Sequence, residues 1–185
     1  MTIRCTLFAA AAAALALGLG ACGTPAPTPA TVAAVPAALQ PAAGEKRAFV
    51  QHARGVQIYN CAAADGAAPA WAFVAPEAEL FDSAASTTVI GSHGAGPSWQ
   101  SPDGSKVAGK LKSRADAPTA GAIPWLLLTT TSTGGAGKMA GVSSIQRVNT
   151  TGGLAPGGGC MSKDDVGKLA RVPYTADYVF FVAGG

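Results

Sequence analysis

The sequence predicts an all-β domain: an antiparallel sandwich or barrel of about seven to nine strands with little helix. Short apolar or alternating segments recur along the chain, and glycine-rich turns separate them. The two segments with helical character are too short to connect parallel strands. We therefore expect a single antiparallel domain over residues 46–185.

The predicted strands follow one another at short spacing. They cover residues 56–61, 71–74 (ended by Pro76), 87–90, 98–101, 106–111, 125–131, 142–150 and 178–182, the last of these buried on both faces. Pro102-Asp103-Gly104 predicts a tight hairpin, because proline fixes φ and Asp-Gly supplies a corner with positive φ. Residues 76–81 are expected to form one helical turn and residues 162–169 a short helix capped by Ser162.

Residues 1–21 have the pattern of a signal peptide. Arg4 precedes an apolar run of about 13 residues, which is too short to span a bilayer. The run ends in Leu19-Gly20-Ala21-Cys22, the form of a bacterial lipoprotein box. We expect lipid on Cys22 and a membrane partner reached through that lipid. Cleavage near Ala21, releasing a secreted protein, is the alternative.

Residues 22–45 are rich in Pro, Ala and Thr and carry no charge before Glu45, which predicts an extended tether. Gly23 after the cysteine favours the outer membrane, with the domain facing the periplasm or the exterior. The formal net charge of +3 falls by one when Arg4 is removed, and no long Lys/Arg run exists. Nucleic-acid binding, which needs a basic face, is not expected.

Two cysteines, Cys61 and Cys160, remain in the domain. In an oxidising compartment a disulfide between them is the expected state. A two-cysteine metal site is the rival, but the chain has only two histidines, His52 and His93, to complete it.

The stretch from Gly91 to Trp99 holds the candidate binding residues. His93 lies among glycines, Trp99 offers an aromatic wall, and Asp103 and Lys106 follow on the predicted hairpin. Alternatively, His93 donates a hydrogen bond to a backbone carbonyl and fixes a turn. Trp71, Trp99 and Trp125 are expected mainly as core anchors.

Arg147, in the strand predicted at 142–150, is a further binding candidate. If its side chain faces inward it needs a carboxylate partner, and Asp116 is one guess. No cofactor is expected. The glycine loop at 135–141 lacks the Ser or Thr that follows lysine in a phosphate loop, and no helix follows it as a dinucleotide fold requires.

The domain resembles the secreted proteins grouped as domain of unknown function 3455. The resemblance rests on stretches spread from about residue 47 onward: 55–61, 71–73, 76–78, 91–99, 103–105, 123–128, 145–147 and 172–178. No established activity comes with the family. Some fungal relatives carry a malate dehydrogenase label, which this sequence does not support because it has no dinucleotide fold.

Together these observations predict a lipid-anchored envelope protein whose β-domain binds an envelope polymer or a small ligand, or has a structural role. The alternative is an extracellular hydrolase that pairs His93 with a nearby carboxylate, Asp103 or Glu77.

Overall fold

The computed structural model describes residues 34–184, and over this range the chain forms a closed eight-stranded antiparallel β-barrel. Each strand pairs with the next, and β8 pairs back with β1 from Glu45↔Ala183 to Asn60↔Leu169. The strands are β1 (Glu45–Ala62), β2 (Ala70–Phe81), β3 (Gly91–Gly94), β4 (Ser98–Gln100), β5 (Lys106–Ala115), β6 (Trp125–Gly134), β7 (Val142–Gly152) and β8 (Leu169–Ala183). The predicted all-β class is confirmed. The leader and Cys22 lie outside the described residues.

Alternating side chains fill the inside of the barrel. In β1 the residues at 51, 53, 57, 59 and 61 are buried, whereas those between them are more exposed. Period-two alternation of this kind places one face of each strand in the interior. The interior core is apolar and aromatic, and its fully buried members include Ala53, Leu80, Trp99, Val107, Ile145, Tyr178 and Phe180.

A second, smaller apolar cluster covers β6 and β7. Leu39 is completely buried beside Trp125, Leu127 and Val148. It lies at the end of a short 3-10 helix, Ala37–Leu39, and its carbonyl accepts a hydrogen bond from Gln146 Nε2 at 2.6 Å. The described part of the expected tether, residues 34–44, therefore contributes packing to the domain.

The third strand is not the predicted one. Residues 87–90 form a loop, and β3 begins at Gly91. Thr87, Thr88 and Val89 are β-branched, but they have no apolar surface to cover, and Val89 is 46% exposed. Intrinsic β-propensity was overridden here by the lack of a neighbour to pack against.

The prediction that Pro76 ends the second strand and begins a helical turn is also wrong. β2 continues through Pro76 to Phe81, and Pro76 lies opposite Gln57 in β1. A proline is tolerated there because β3 pairs only with residues 78–80, which leaves Pro76 on a free edge where no amide donor is needed.

Two further expectations near the C-terminus need correction. β8 is buried on both faces only at Phe180 and Phe181, where consecutive side chains are buried. Over most of its length, buried side chains that face the barrel interior alternate with more exposed ones. The expected helix at 162–169 is only a single 3-10 turn, Lys163–Asp165, although Ser162 does cap it. Gly167, with φ of +91°, ends the turn.

The disulfide between Cys61 and Cys160 is present, with its Cα atoms 5.4 Å apart and 99 residues between them in sequence. It joins the end of β1 to the long connection between β7 and β8. The hairpin expected at Pro102-Asp103-Gly104 is also confirmed, with φ of +84° at Gly104 and a backbone hydrogen bond from Ser101 N to Ser105 O at 3.0 Å.

Candidate functional site

The two shortest strands leave an opening in the wall of the barrel. β3 and β4 have only four and three residues, so they pair with β2 at residues 78–80 and with β5 at residues 106–108. Beyond those pairs, residues 70–77 of β2 and 110–115 of β5 have no strand between them. Phe73, Val74 and Leu111 on these free edges are 55%, 56% and 53% exposed.

A stack of aromatic rings lies just inside this opening. His93 of β3 is stacked on Trp99 of β4, with ring centroids 4.4 Å apart and an interplanar angle of 17°. Tyr178 of β8 meets both rings, at 4.8 Å from His93 and 5.3 Å from Trp99. The register pairs His93 directly with Trp99, which is why a glycine-flanked histidine finds this neighbour.

Glycine makes room for the tryptophan. A Cβ atom on Gly109 of β5 would lie 2.8 Å from the Trp99 ring, too close for any side chain. Trp99 is therefore seated against bare backbone, and only 1% of it is exposed.

Burial decides the protonation state of His93. The imidazole is 4% exposed, and this desolvation lowers its pKa to about 3, with the nearby charge of Arg147 acting in the same direction. His93 Nδ1 lies 2.9 Å from the Ser98 carbonyl, which can only accept a hydrogen bond. Nδ1 therefore carries the proton, and Nε2 of the neutral ring has a free lone pair.

Arg147 of β7 brings a permanent positive charge to the same place. Its Nε and one terminal nitrogen donate to the Pro124 carbonyl at 3.2 and 2.8 Å. No carboxylate within the described range forms a salt bridge with it, so the guessed partner Asp116 is wrong. Its charge reaches Tyr178, where it opposes the burial that raises the pKa of that phenol.

These groups surround one cavity of about 340 Å³. Its walls come from β2, from β3, β4 and the turn between them, and from β6, β7 and β8, and are mainly apolar and aromatic. The lining residues are Phe73, Val74, Pro76, His93, Gly96, Pro97, Trp99, Leu126, Leu128, Arg147 and Tyr178. An eight-stranded barrel is just wide enough either to be filled by side chains or to hold one small ligand.

The structure thus brings together three of the five predicted binding residues: His93, Trp99 and Arg147. Asp103 lies instead on the β4–β5 turn, where its carboxylate accepts from the backbone of Ser105 and of Lys138, both within 2.9 Å. These hydrogen bonds, that of Lys138 first, lower its pKa to about 2. Lys106 begins β5 opposite Gly134, away from the cavity.

Sequence reasoning missed Tyr178, the two β6 leucines and the β2 edge. Leu126 and Leu128 face the cavity and alternate with Trp125 and Leu127, which face outward. Because all four residues are apolar, the sequence shows no alternation in hydropathy that would reveal the two faces. Phe73 and Val74 gave no signal, because a free strand edge depends on the length of its neighbours.

A second polar group, on the outer face, was also missed. His52 Nδ1 lies 2.8 Å from Asp177 Oδ1, and Asn149 Nδ2 donates to Asp177 Oδ2 at 2.8 Å. A His–Asp pair orients catalytic histidines, but no hydroxyl group hydrogen-bonds to His52 in the described part of the chain. The pair ties β1 to β8.

The described residues contain no cluster of three or more His, Cys, Asp or Glu side chains able to hold a metal ion. No helix between residues 34 and 184 is long and apolar enough to cross a membrane.

Neither the curated proteins nor the solved structures include a significant match to this chain. The family described as "Protein of unknown function (DUF3455)" does match, over residues 41–182, which is nearly the whole β-barrel. The agreement extends from the start of β1 to the end of β8 and confirms the resemblance drawn from the sequence. The chain is a member of the DUF3455 family.

Proposed function

We propose that this chain is an exported, lipid-anchored protein of the cell envelope whose barrel binds a small ligand in the cavity beside His93 and Trp99. The cavity of about 340 Å³ behind the opening between β2 and β5 carries the binding part of this proposal. Small-molecule sites are concave and largely apolar, with a few placed polar groups. The exposed Phe73 and Val74 at its rim give an apolar ligand a route from solvent.

The location rests on the sequence and one supporting feature. Leu19-Gly20-Ala21-Cys22 matches a lipoprotein box, and the Cys61–Cys160 disulfide is typical of an oxidising compartment outside the cytoplasm. The outer membrane is the favoured site, and release as a secreted protein is the alternative.

Binding is favoured over hydrolysis by the way His93 is held. Burial lowers the pKa of the imidazole to about 3, so Nε2 is a weak base, and the Ser98 carbonyl that accepts from Nδ1 adds no full negative charge to strengthen it. Glu77 is paired with Arg171 at 2.7 Å, and Asp103 is bound to the β4–β5 turn. Among the described residues, neither carboxylate forms a hydrogen bond with the imidazole.

Binding is tested with the neutral fluorophore N-phenyl-1-naphthylamine, which brightens in apolar surroundings. The protein carries Cys22→Ser, so that no acyl chain enters the assay. We expect saturable binding by this protein and its loss in Leu126→Trp, which fills the cavity. Leu154→Trp, at a residue 45% exposed outside the lining, is the matched control and should bind normally. Absence of binding, or equal binding by both tryptophan variants, refutes the proposal.

Anchoring is tested by detergent partitioning of cell fractions. The wild-type protein should enter the detergent phase, and Cys22→Ser should leave the precursor uncut or the protein in the aqueous phase. Cys5→Ser, within the leader, should behave as wild type. Unchanged partitioning of Cys22→Ser contradicts lipidation.

A further inference from the structure

The cavity contains a positive charge that no salt bridge neutralises within residues 34–184. Arg147 is the one charged side chain in the lining, and within the described residues it donates to the neutral Pro124 carbonyl and interacts with the neutral Tyr178 hydroxyl. Placing a cation in a largely apolar site without an anion is unfavourable, so such a site favours an anionic ligand.

The cation lies at the inner wall of the cavity, and the apolar residues lie toward the opening. The strand registers align Leu126, Arg147 and Tyr178 in one row across β6, β7 and β8. Phe73 and Val74, at the free edge of β2, form the outer rim. A ligand that enters from the side therefore meets apolar surface first and the guanidinium last.

A buried polar side chain without a hydrogen-bond partner among the described residues lies in the same row. The register continues from Tyr178 to Gln51 of β1, whose side chain is completely buried. Neither Oε1 nor Nε2 of Gln51 has a hydrogen-bond partner within the range described. The barrel interior thus has more hydrogen-bonding capacity at the level of Arg147 than its own side chains use.

We propose that the ligand is a small amphiphile with an apolar body and a single carboxylate, which enters between β2 and β5 and places the carboxylate on Arg147. Two N–H donors of a guanidinium match the two oxygens of a carboxylate. The neutral His93, stacked on Trp99 in the same lining, contributes no competing charge and offers Nε2 to a hydroxyl or amide proton of the ligand. This inference rests on the proposed small-molecule function.

The test compares ligands that differ only in charge. Binding of 2-naphthoate and of 2-naphthalenemethanol to the Cys22→Ser protein is measured by calorimetry at pH 7, with decanoate and 1-decanol as an aliphatic pair. We expect each carboxylate to bind at least about tenfold more tightly than its alcohol, since charge-assisted hydrogen bonds contribute about 1.5–3 kcal/mol. Comparison of the two pairs shows whether the body is aromatic or aliphatic.

The arginine is tested by substitution. Arg147→Met should remove the preference for the carboxylate while the alcohol still binds, and Arg147→Lys should keep part of the preference. Arg47→Met removes an exposed charge near the start of β1 and should change neither affinity. The comparison of carboxylate with alcohol in the protein that retains Arg147 tests the proposal even if an Arg147 variant fails to fold.

The outcomes separate the two proposals. If none of the four compounds binds, small-molecule binding in this cavity is refuted. If carboxylate and alcohol bind equally, or if Arg147→Met retains the preference, the cavity binds ligands but the anionic class is wrong.

Discussion

Burial of His93 makes the stability of the barrel depend on pH. The folded imidazole has a pKa near 3, against 6.5 for an ordinary histidine, so between these two pH values only the unfolded chain takes up this proton. The free energy of unfolding therefore falls as pH decreases from about 6.5 toward 3, by up to about 1.4 kcal/mol per pH unit.

His93→Asn removes the titrating group and retains a hydrogen-bond donor for the Ser98 carbonyl. We expect this variant to lose much less stability than the wild type between pH 7 and pH 5, measured by urea unfolding at each pH. The range lies above the pKa of Glu45, which is lowered in the folded protein, and above that of Asp103, which is lowered to about 2. Parallel pH profiles for the two proteins would contradict the burial of a neutral His93.

Single site residues could be predicted together where they are close in sequence and face each other across one turn. His93 and Trp99 were expected together because one tight turn separates them, and the register pairs them directly. Arg147 was selected for its chemistry and its strand, and it does line the cavity. Asp103 and Lys106 are as close to Trp99 in sequence as His93 is. They lie at the β4–β5 turn, however, at the end of β4 that is farther from the opening.

Among the elements, β5 depends on a glycine to accept the aromatic stack. Gly109→Ala places a Cβ atom 2.8 Å from the Trp99 ring and 3.2 Å from Leu128. We expect a loss of about 1–3 kcal/mol in the free energy of unfolding by urea, because overpacking forces the ring to shift. Gly94→Ala, where nothing lies within 4 Å, is the matched control and should change stability little. Equal stability of both variants would contradict the packing described.

The N-terminal 3-10 helix is a second element whose contribution is measurable. Leu39 is fully buried against Trp125 and Leu127, outside the barrel. Leu39→Ala should lower the free energy of unfolding by about 2–4 kcal/mol, through lost burial and the cavity left behind. Leu154→Ala, at an exposed leucine, should change it by less than about 0.5 kcal/mol. A negligible effect of Leu39→Ala would show that this segment does not contribute to the folded domain.

Elements were predictable where periodicity and turn chemistry agreed. Pro102-Asp103-Gly104 marks both the hairpin and its register. The strand at 87–90 failed because β-branched composition cannot show whether a partner strand is present. The prediction that Pro76 ends its strand was wrong because β2 has no partner strand on one side at Pro76, and a free edge tolerates proline.

At the scale of the whole molecule, the number of strands was predictable but the closure was not. Seven to nine short strands fit a sandwich as well as a barrel, and only the pairing of β1 with β8 distinguishes them. The opening between β2 and β5 follows from that closure together with two very short strands. No local sequence pattern reports it, because it depends on which strands fail to extend.

The disulfide stabilises this closed fold as a whole. It joins Cys61 and Cys160 across 99 residues, so its main effect is to restrict the unfolded chain, by up to about 4.7 kcal/mol in the entropic account. Cys61→Ser with Cys160→Ser should therefore lower the free energy of unfolding by about 2–5 kcal/mol in urea. Dithiothreitol should weaken the wild type by a similar amount and leave the double variant unchanged. If mass spectrometry shows both thiols free and the free energy of unfolding of the wild type is unchanged, the disulfide does not stabilise the barrel.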